Sequence, residues 1–260
     1  MEDRLPVYII STGRRGPGTQ NVSRLFQDPM FNVIVPELPT EQRTEFLAKL
    51  GQANALEATQ ILGVLSLSYA AAPDKPVIIL KDNSVSHLTP EQITNRVKSI
   101  LALTQPFDIF YLCKWNDRCQ LYTNKRNMAD TNTFLAQTQA PGGFQAVLIT
   151  PSGRDIILGQ AMMPNNKKFK LDHPLPDQLT HEIFNGHLVA FTETPNIIDF
   201  DIRYAMSNAD YVKLNECQPV KQSSQNVGSS TAAYVWFFIV ILAIFLLAWA
   251  LIRIGPGTRN

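Results

Sequence analysis

The sequence predicts an α/β domain, a mainly parallel sheet flanked by helices, followed by one C-terminal transmembrane helix. Three observations carry this. Short apolar runs alternate with helical stretches from residue 5 to about residue 152, the pattern of parallel strands joined by crossover helices. One of those runs, VIIL at 77–80, is apolar at four consecutive positions, as in a strand covered on both faces. From Ala232 to Ile252 the chain then runs 21 residues without a charge, Gly, Pro or amide. At about 1.5 Å per residue that run reaches roughly 30 Å, the thickness of a bilayer's hydrocarbon core.

In order along the chain, LPVYIIST at 5–12 reads as a buried strand, followed by the basic loop GRRGPG. FNVIV at 31–35 is a second strand, closed by Pro36. Thr40 before Glu41 supplies an N-cap signal for a helix to about Leu50. A second helix covers roughly 54–71, with Leu56, Ile61, Val64, Leu65 and Leu67 on its apolar side. VIIL follows as the third strand. Thr89-Pro90-Glu91 starts a helix with Pro at its first position. FDIFYLC at 107–113 and FQAVLIT at 144–150 are the fourth and fifth strands, and Pro151-Ser152 opens a short helix. Residues 187–204 read as late strands or extended segments over the sheet. From Gln218 to Thr231 the composition turns to Ser, Gln, Asn and Gly, that of a flexible stalk. The plan is therefore an α/β domain over 1–217, a stalk over 218–231, a span over 232–252 and a short tail over 253–260.

Trp236 lies near one end of the span and Trp249 near the other, where aromatic rings prefer the headgroup layer. The opening MEDRLPVYII has no cationic stretch before a long apolar core. The expectation is a single-pass, tail-anchored protein, its N-terminal domain in the cytosol or facing a capsid, whose partner through 232–252 is the lipid bilayer. Arg253 and Arg259 beyond the span and Lys213 and Lys221 before it do not fix the orientation by charge.

The chain holds 23 Lys+Arg against 22 Asp+Glu, so nucleic acid is not expected as a partner. Outside the anchor region, residues 1–231 carry 43 charged side chains, about 19%, below the roughly 25% of an average soluble domain. Asn, Gln and Thr fill the gap. Interface cores are depleted in Lys, Glu and Asp, so part of this surface is expected to be covered. Three cysteines, Cys113, Cys119 and Cys217, form no CxxC pair. They read as reduced thiols rather than a zinc site.

Four segments, in order, resemble glycosyltransferase family 25, the lipopolysaccharide-type enzymes also found in large DNA viruses. They are IIST with Arg14 and Arg15, VIILKDN at 77–83, DIFYLCKWNDRCQLYT at 108–123, and GGFQAVLIT with KLDHPLPDQLTH at 142–181. The resemblance covers about residues 5–182. It implies a GT-A/Rossmann-like nucleotide-sugar fold, a UDP-sugar donor and a divalent cation, Mn²⁺ or Mg²⁺. It also implies that Arg14 and Arg15 meet the donor phosphate, and that Asp172, His173 and Asp177 lie on the acceptor side, where one could act as base. Apart from the resemblance, Pro174 and Pro176 read as fixing an extended turn whose Asp and His cap nearby backbone groups.

At the metal position the family carries Leu-Glu-Asp-Asp, and this chain carries Leu80, Lys81, Asp82 and Asn83. One carboxylate stands where three are expected, and an ammonium beside it opposes a cation. The expectation is a degenerate site, with Asp82, Asp172 and Asp177 as vestigial catalytic candidates, Asp82 as the vestigial metal ligand, and no resident cofactor. Trp115, Asp117, Arg118 and Tyr122 read either as an acceptor-binding loop or as a charged pair that orders the loop. The function expected is that of a catalytically inactive, membrane-anchored pseudoenzyme with a structural or interaction role. In the viral branch that the YLCKWNDRC segment resembles, this is a minor capsid protein of the virion, joining an inner membrane to capsid proteins. The alternative is an active membrane-associated glycosyltransferase using a nucleotide-sugar donor.

Overall fold

The structure, a computed structural model, describes residues 4–11, 18–41, 43–115, 117–127 and 133–201. The chain divides into two units, Met1–Pro219 and Val220–Asn260. The second lies outside the described residues, and with it Trp236, Trp249 and the predicted span. Among the described residues no helix is long and apolar enough to cross a membrane.

The first unit is a mixed α/β domain built on an eight-stranded sheet. Its strands are β1 (Leu5–Ile10), β2 (Phe31–Ile34), β3 (Val77–Lys81), β5 (Ile109–Trp115), β6 (Thr123–Asn127), β7 (Phe134–Thr138), β8 (Gly142–Ile149) and β9 (Ala190–Thr194). They lie in the order β2-β1-β3-β8-β5-β9-β7-β6. A two-stranded ladder, β4 (Ser84–Val85) with β10 (Asp199–Phe200), sits apart from it. The five strands expected from sequence are found as β1, β2, β3, β5 and β8. The sheet is mixed, however, not mainly parallel. The ladders β1–β2, β1–β3 and β5–β9 are parallel. The four made by β3–β8, β5–β8, β6–β7 and β7–β9 are antiparallel. The reason lies between residues 115 and 142, where no α-helix intervenes among the described residues. β6 and β7 form a hairpin, and β8 returns antiparallel into the middle of the sheet, since a parallel return needs a long crossover.

Helices cover both faces. On one side α2 (Thr44–Leu50), α3 (Gln52–Ala71), α5 (Pro151–Ile157) and α6 (Leu175–Phe184) bury Ile61, Val64, Leu65, Leu175 and Leu179 against Tyr8, Ile10, Ile79, Tyr111 and Val147. On the other, α1 (Gly18–Ser23) and α4 (Pro90–Leu101) set Val22, Ile93 and Val97 against Val7, Ile9, Ile78, Leu80 and Phe110. Strands whose residues alternate between two buried cores must be apolar throughout, which is why VIIL has no polar position. α4 starts as expected. Thr89 and Gln92 form a reciprocal capping box, with Pro at the first turn. α2 begins later than Thr40 implied, at Thr44 behind an extended Arg43.

Two joints fix the layers. Arg154 in α5 is fully buried, and its guanidinium donates to the carbonyls of Ala72 (3.1 Å), Lys75 (3.3 Å) and Pro73, closing the end of α3. Gly153 allows α5 to approach the sheet, since a Cβ there would lie 2.4 Å from the Asp108 carbonyl oxygen.

Candidate functional site

The C-terminal ends of β3 and β5 meet the start of antiparallel β8 at one edge of the sheet. Ligands of open α/β sheets bind outside such strand ends, and a cleft of about 860 Å³ opens there. Lys81 comes from the end of β3, Trp115 from the end of β5, and Gly142, Gly143 and Phe144 from β8. The first turns of α3 contribute Asn54 and Glu57. α6 contributes Pro176, Asp177, Thr180, His181 and Phe184. The DHPLPDQ run is thus not only an extended turn. Pro174 is the N-cap of α6, Pro176 lies in its first turn and Asp177 is the first-turn acid, an arrangement that favours a helix start.

Lys81 lines the cleft, but it is ion-paired with Glu57, whose carboxylate accepts from its ammonium. Both side chains are more than two-thirds covered. Lys81 is therefore not a free cation awaiting a phosphate. Asp82, the next residue along the strand, points elsewhere. It is buried, and its carboxylate accepts from the Ser11 hydroxyl at 3.0 Å. Its amide donates to the Ile10 carbonyl, and its own carbonyl accepts from the Gly18 amide at 3.1 Å. Asp82 ties the ends of β1 and β3 to the start of α1. Asn83 is buried as well, accepting from Gln145 Nε2 at 2.7 Å, while its carbonyl accepts from the Asp201 amide.

The remaining candidates separate. Asp172 is exposed on the surface, outside the cleft lining, where the Lys49 ammonium donates to it at 2.7 Å and holds its carboxyl below the usual range. Asp177 does line the cleft. Of the three vestigial acids it is the only one that does, so the grouping Asp82, Asp172 and Asp177 is not an assembled site. Arg14 and Arg15 lie outside the described residues. The donor set does not fit a divalent cation: the one acid of the LKDN run is engaged with Ser11, and the neighbouring side chain is an ammonium. Among the described residues no group of three or more His, Cys, Asp or Glu is arranged to hold a metal ion.

The loop after β5 resolves into two roles. Asp117 is buried, accepting from the Tyr122 hydroxyl at 2.7 Å and the Thr138 hydroxyl at 2.8 Å. Burial raises its pKa against the opposing pull of those hydrogen bonds and of Lys114. These contacts order the loop. Arg118 and Trp115 reach the cleft. Trp115 is no open stacking platform. Its ring lies so close to Gly143 that a Cβ there would sit 3.0 Å from Cδ2, and the Phe200 ring is 4.7 Å away at a 58° tilt.

Sequence reasoning missed Glu57, Asn54, Thr180 and Phe184. For Glu57 a signal existed, since it is the only charged residue in α3. It also missed Lys114, buried next to Trp115 in β5, which donates to the Glu193 carbonyl at 3.0 Å and to the Thr194 hydroxyl. Burial lowers the Lys114 pKa to about 8. The cysteines also depart from expectation. Cys113 is a buried free thiol, its pKa pushed up by that burial, but Cys119 is disulfide-bonded rather than reduced.

Compared with known proteins, the sequence matches no family model and no curated protein. Among solved structures, A197 from STIV aligns at 9% identity and a TM-score of 0.37, covering 72% of this chain and 81% of that one. Apo UDP-glucose pyrophosphorylase aligns at 9% identity and a TM-score of 0.32, covering 73% of each chain. Scores this low carry no argument about what this chain does. Neither comparison brings in glycosyltransferase family 25.

Proposed function

We propose that this chain is a membrane-anchored interaction protein whose α/β domain keeps a glycosyltransferase-like framework without its chemistry. The observation that supports this is the fate of the LKDN run. Lys81 is neutralised by Glu57 inside the cleft, and Asp82 is spent on joining β1, β3 and α1. A cation-assisted transfer needs carboxylates free to face the leaving diphosphate, and here the residues at that position are committed to holding the fold. The family resemblance and the apolar run at 232–252 extend the reading to a minor structural protein that links a virion membrane to capsid proteins.

Calorimetric titration of the full-length chain in detergent with UDP-sugars, with and without Mn²⁺, tests the core of the reading. No metal-dependent heat is expected. Micromolar, metal-dependent binding abolished by Asp82→Ala would overturn it in favour of an active membrane-associated glycosyltransferase. That alternative has one observation on its side, the size of the cleft and the presence of Asp177 and His181 in its lining. Restoring the family's acids by Lys81→Glu with Asn83→Asp sets a second carboxylate against that of Glu57. On this reading, metal binding does not appear unless Glu57 is changed as well.

A further inference from the structure

The two outer strands of the eight-stranded sheet are built differently. An edge strand presents unpaired backbone groups to other chains, and charged side chains along it discourage pairing. β6, at one edge, is TNKRN, exposed at every position and carrying Lys125 and Arg126. β2, at the other edge, is FNVI and carries no charge, nor does Val35 after it, which is 52% exposed. The phase of the β1–β2 ladder is fixed by the Leu5 amide, which donates to the Met30 carbonyl at 2.7 Å while Leu5 lies opposite Phe31. In a parallel ladder of that phase Asn32 and Ile34 turn their amides and carbonyls toward β1, and Val33 turns both of its groups outward. Val35, biased to an extended backbone by Pro36, continues the pattern. The Phe31 amide is used locally, donating to the Asp28 carbonyl at 2.9 Å. That leaves the Phe31 carbonyl and the backbone groups of Val33 and Val35, and among the described residues none of these has a partner. On the α3 side of the same strand lies a trough of about 720 Å³, lined by Pro6, Tyr8, Asn32 and Ile34 from the strands and by residues 71–75 from the end of α3. Its charged groups are of both signs, Arg4, Asp74 and Lys75.

We propose that β2 is a strand-addition site, at which an extended, proline-free segment of another protein pairs with residues 31–35 and sets every second side chain beside the trough. The backbone itself names the occupant, because outward donors and acceptors repeating every two residues are matched by an extended main chain. In recognition of this kind the ladder supplies affinity, and hollows for alternate side chains supply specificity. The edge is neutral, so the segment is uncharged where it crosses Val33 and Val35. A second copy fits less well. Edge to edge it would pair only the few residues before Pro36 in each chain, well short of the ~800 Å² per partner of a standard stable interface, whereas a free segment can settle into the trough as well. The proposal rests on the reading of the chain as an interaction protein, and supplies the surface and the kind of partner.

Fluorescence anisotropy of the full-length chain in detergent, titrated against labelled peptides that alternate Thr with Val, Ile or Phe, tests this. Saturable binding of at least one peptide is expected, with amide exchange slowed over residues 30–36 in the complex. Val33→Pro removes the outward amide and leaves the β1 ladder intact, since an edge strand tolerates proline where the amide faces outward. It weakens binding at least about tenfold, the effect of losing one or two backbone hydrogen bonds. Val35→Lys changes an exposed side chain, so it keeps the melting temperature while charging the edge, and it weakens binding likewise. That second variant carries the test if Val33→Pro does not fold. No saturable binding up to about 1 mM peptide overturns the proposal. So does binding that Val35→Lys leaves intact, or a self-association of the chain that Val35→Lys abolishes, which would give the edge to a second copy. Metal-dependent binding of a UDP-sugar alongside intact peptide binding would instead overturn the reading of the cleft and leave this site standing.

Discussion

Lys114 gives the most diagnostic perturbation, because a buried ammonium leaves a signature in alkali that few other groups produce. In the unfolded chain the amine releases its proton near the ordinary 10.5, and in the fold near 8, with burial as the leading cause. At 1.36 kcal/mol for each tenfold, holding the proton costs the fold about 3 kcal/mol. Below pH 8 both states are protonated and that cost is borne in full. Between 8 and 10.5 the unfolded chain keeps the proton and the fold does not. The Lys114 contribution to stability therefore rises with pH by about 1.4 kcal/mol per pH unit over that window. The Cys113 thiol, held protonated by burial well above the ordinary 9.0, offsets that rise from about pH 9, and Tyr111 and Tyr122, both held protonated by burial above the ordinary 10, turn the curve downward in stronger alkali. The clean window is thus roughly pH 8 to 9. Lys114→Met removes the cost but strips the Glu193 carbonyl and Thr194 hydroxyl of their donor, worth about 1–3 kcal/mol. Net stability at pH 7 changes little, and the alkaline rise disappears. Urea unfolding followed by far-ultraviolet circular dichroism at half-unit pH steps reads both quantities. A wild-type curve flat from pH 8 to 9, or an identical rise in the variant, refutes the reasoning.

Three further perturbations follow from the joints of the fold. Gly153→Ala drives a Cβ toward the Asp108 carbonyl oxygen, which is backbone and cannot swing aside; a loss of about 1–3 kcal/mol is expected from denaturant midpoints. Arg154→Leu strands the carbonyls of Ala72, Pro73 and Lys75 at the end of α3. It should cost about 3–5 kcal/mol, with accelerated amide exchange at residues 70–76 as the local readout. Gly143→Ala puts a side chain on a residue at φ +79° and 3.0 Å from the Trp115 ring. The indole must move off Phe200, and near-ultraviolet circular dichroism should change while the far-ultraviolet spectrum holds.

What the residues disclosed in advance follows the range of the interactions. Strands buried on both faces write themselves as apolar runs, so β1, β3, β5 and β8 were legible, and the start of α4 is local enough to read from Thr89, Pro90 and Glu91. The edge strand β6, TNKRN, is exposed at every position and carries no pattern, and α6 hides behind prolines that serve equally in a turn. The mixed direction of the sheet depends on where β8 inserts, which no local pattern records. At the site, the substitution of Lys81 for an acid was visible, but its neutralisation was not. Glu57 lies 24 residues upstream on another element, and only the fold brings the two together. The same holds for Asp82, whose partner Ser11 is 71 positions away.

The insertion of β8 between β3 and β5 has a consequence for how the chain is made. During synthesis, β1, β2 and β3 can assemble early, since the parallel ladders among them need nothing beyond residue 81. β3 then presents an unpaired, largely apolar edge until residues 142–149 leave the ribosome, and β5 waits on the same strand. Open edges of that kind are templates for pairing with other chains. A nascent or truncated product ending before Gly142 would therefore be the aggregation-prone species in the life of this protein. The interval of about sixty residues between β3 and β8 is where a chaperone would matter most.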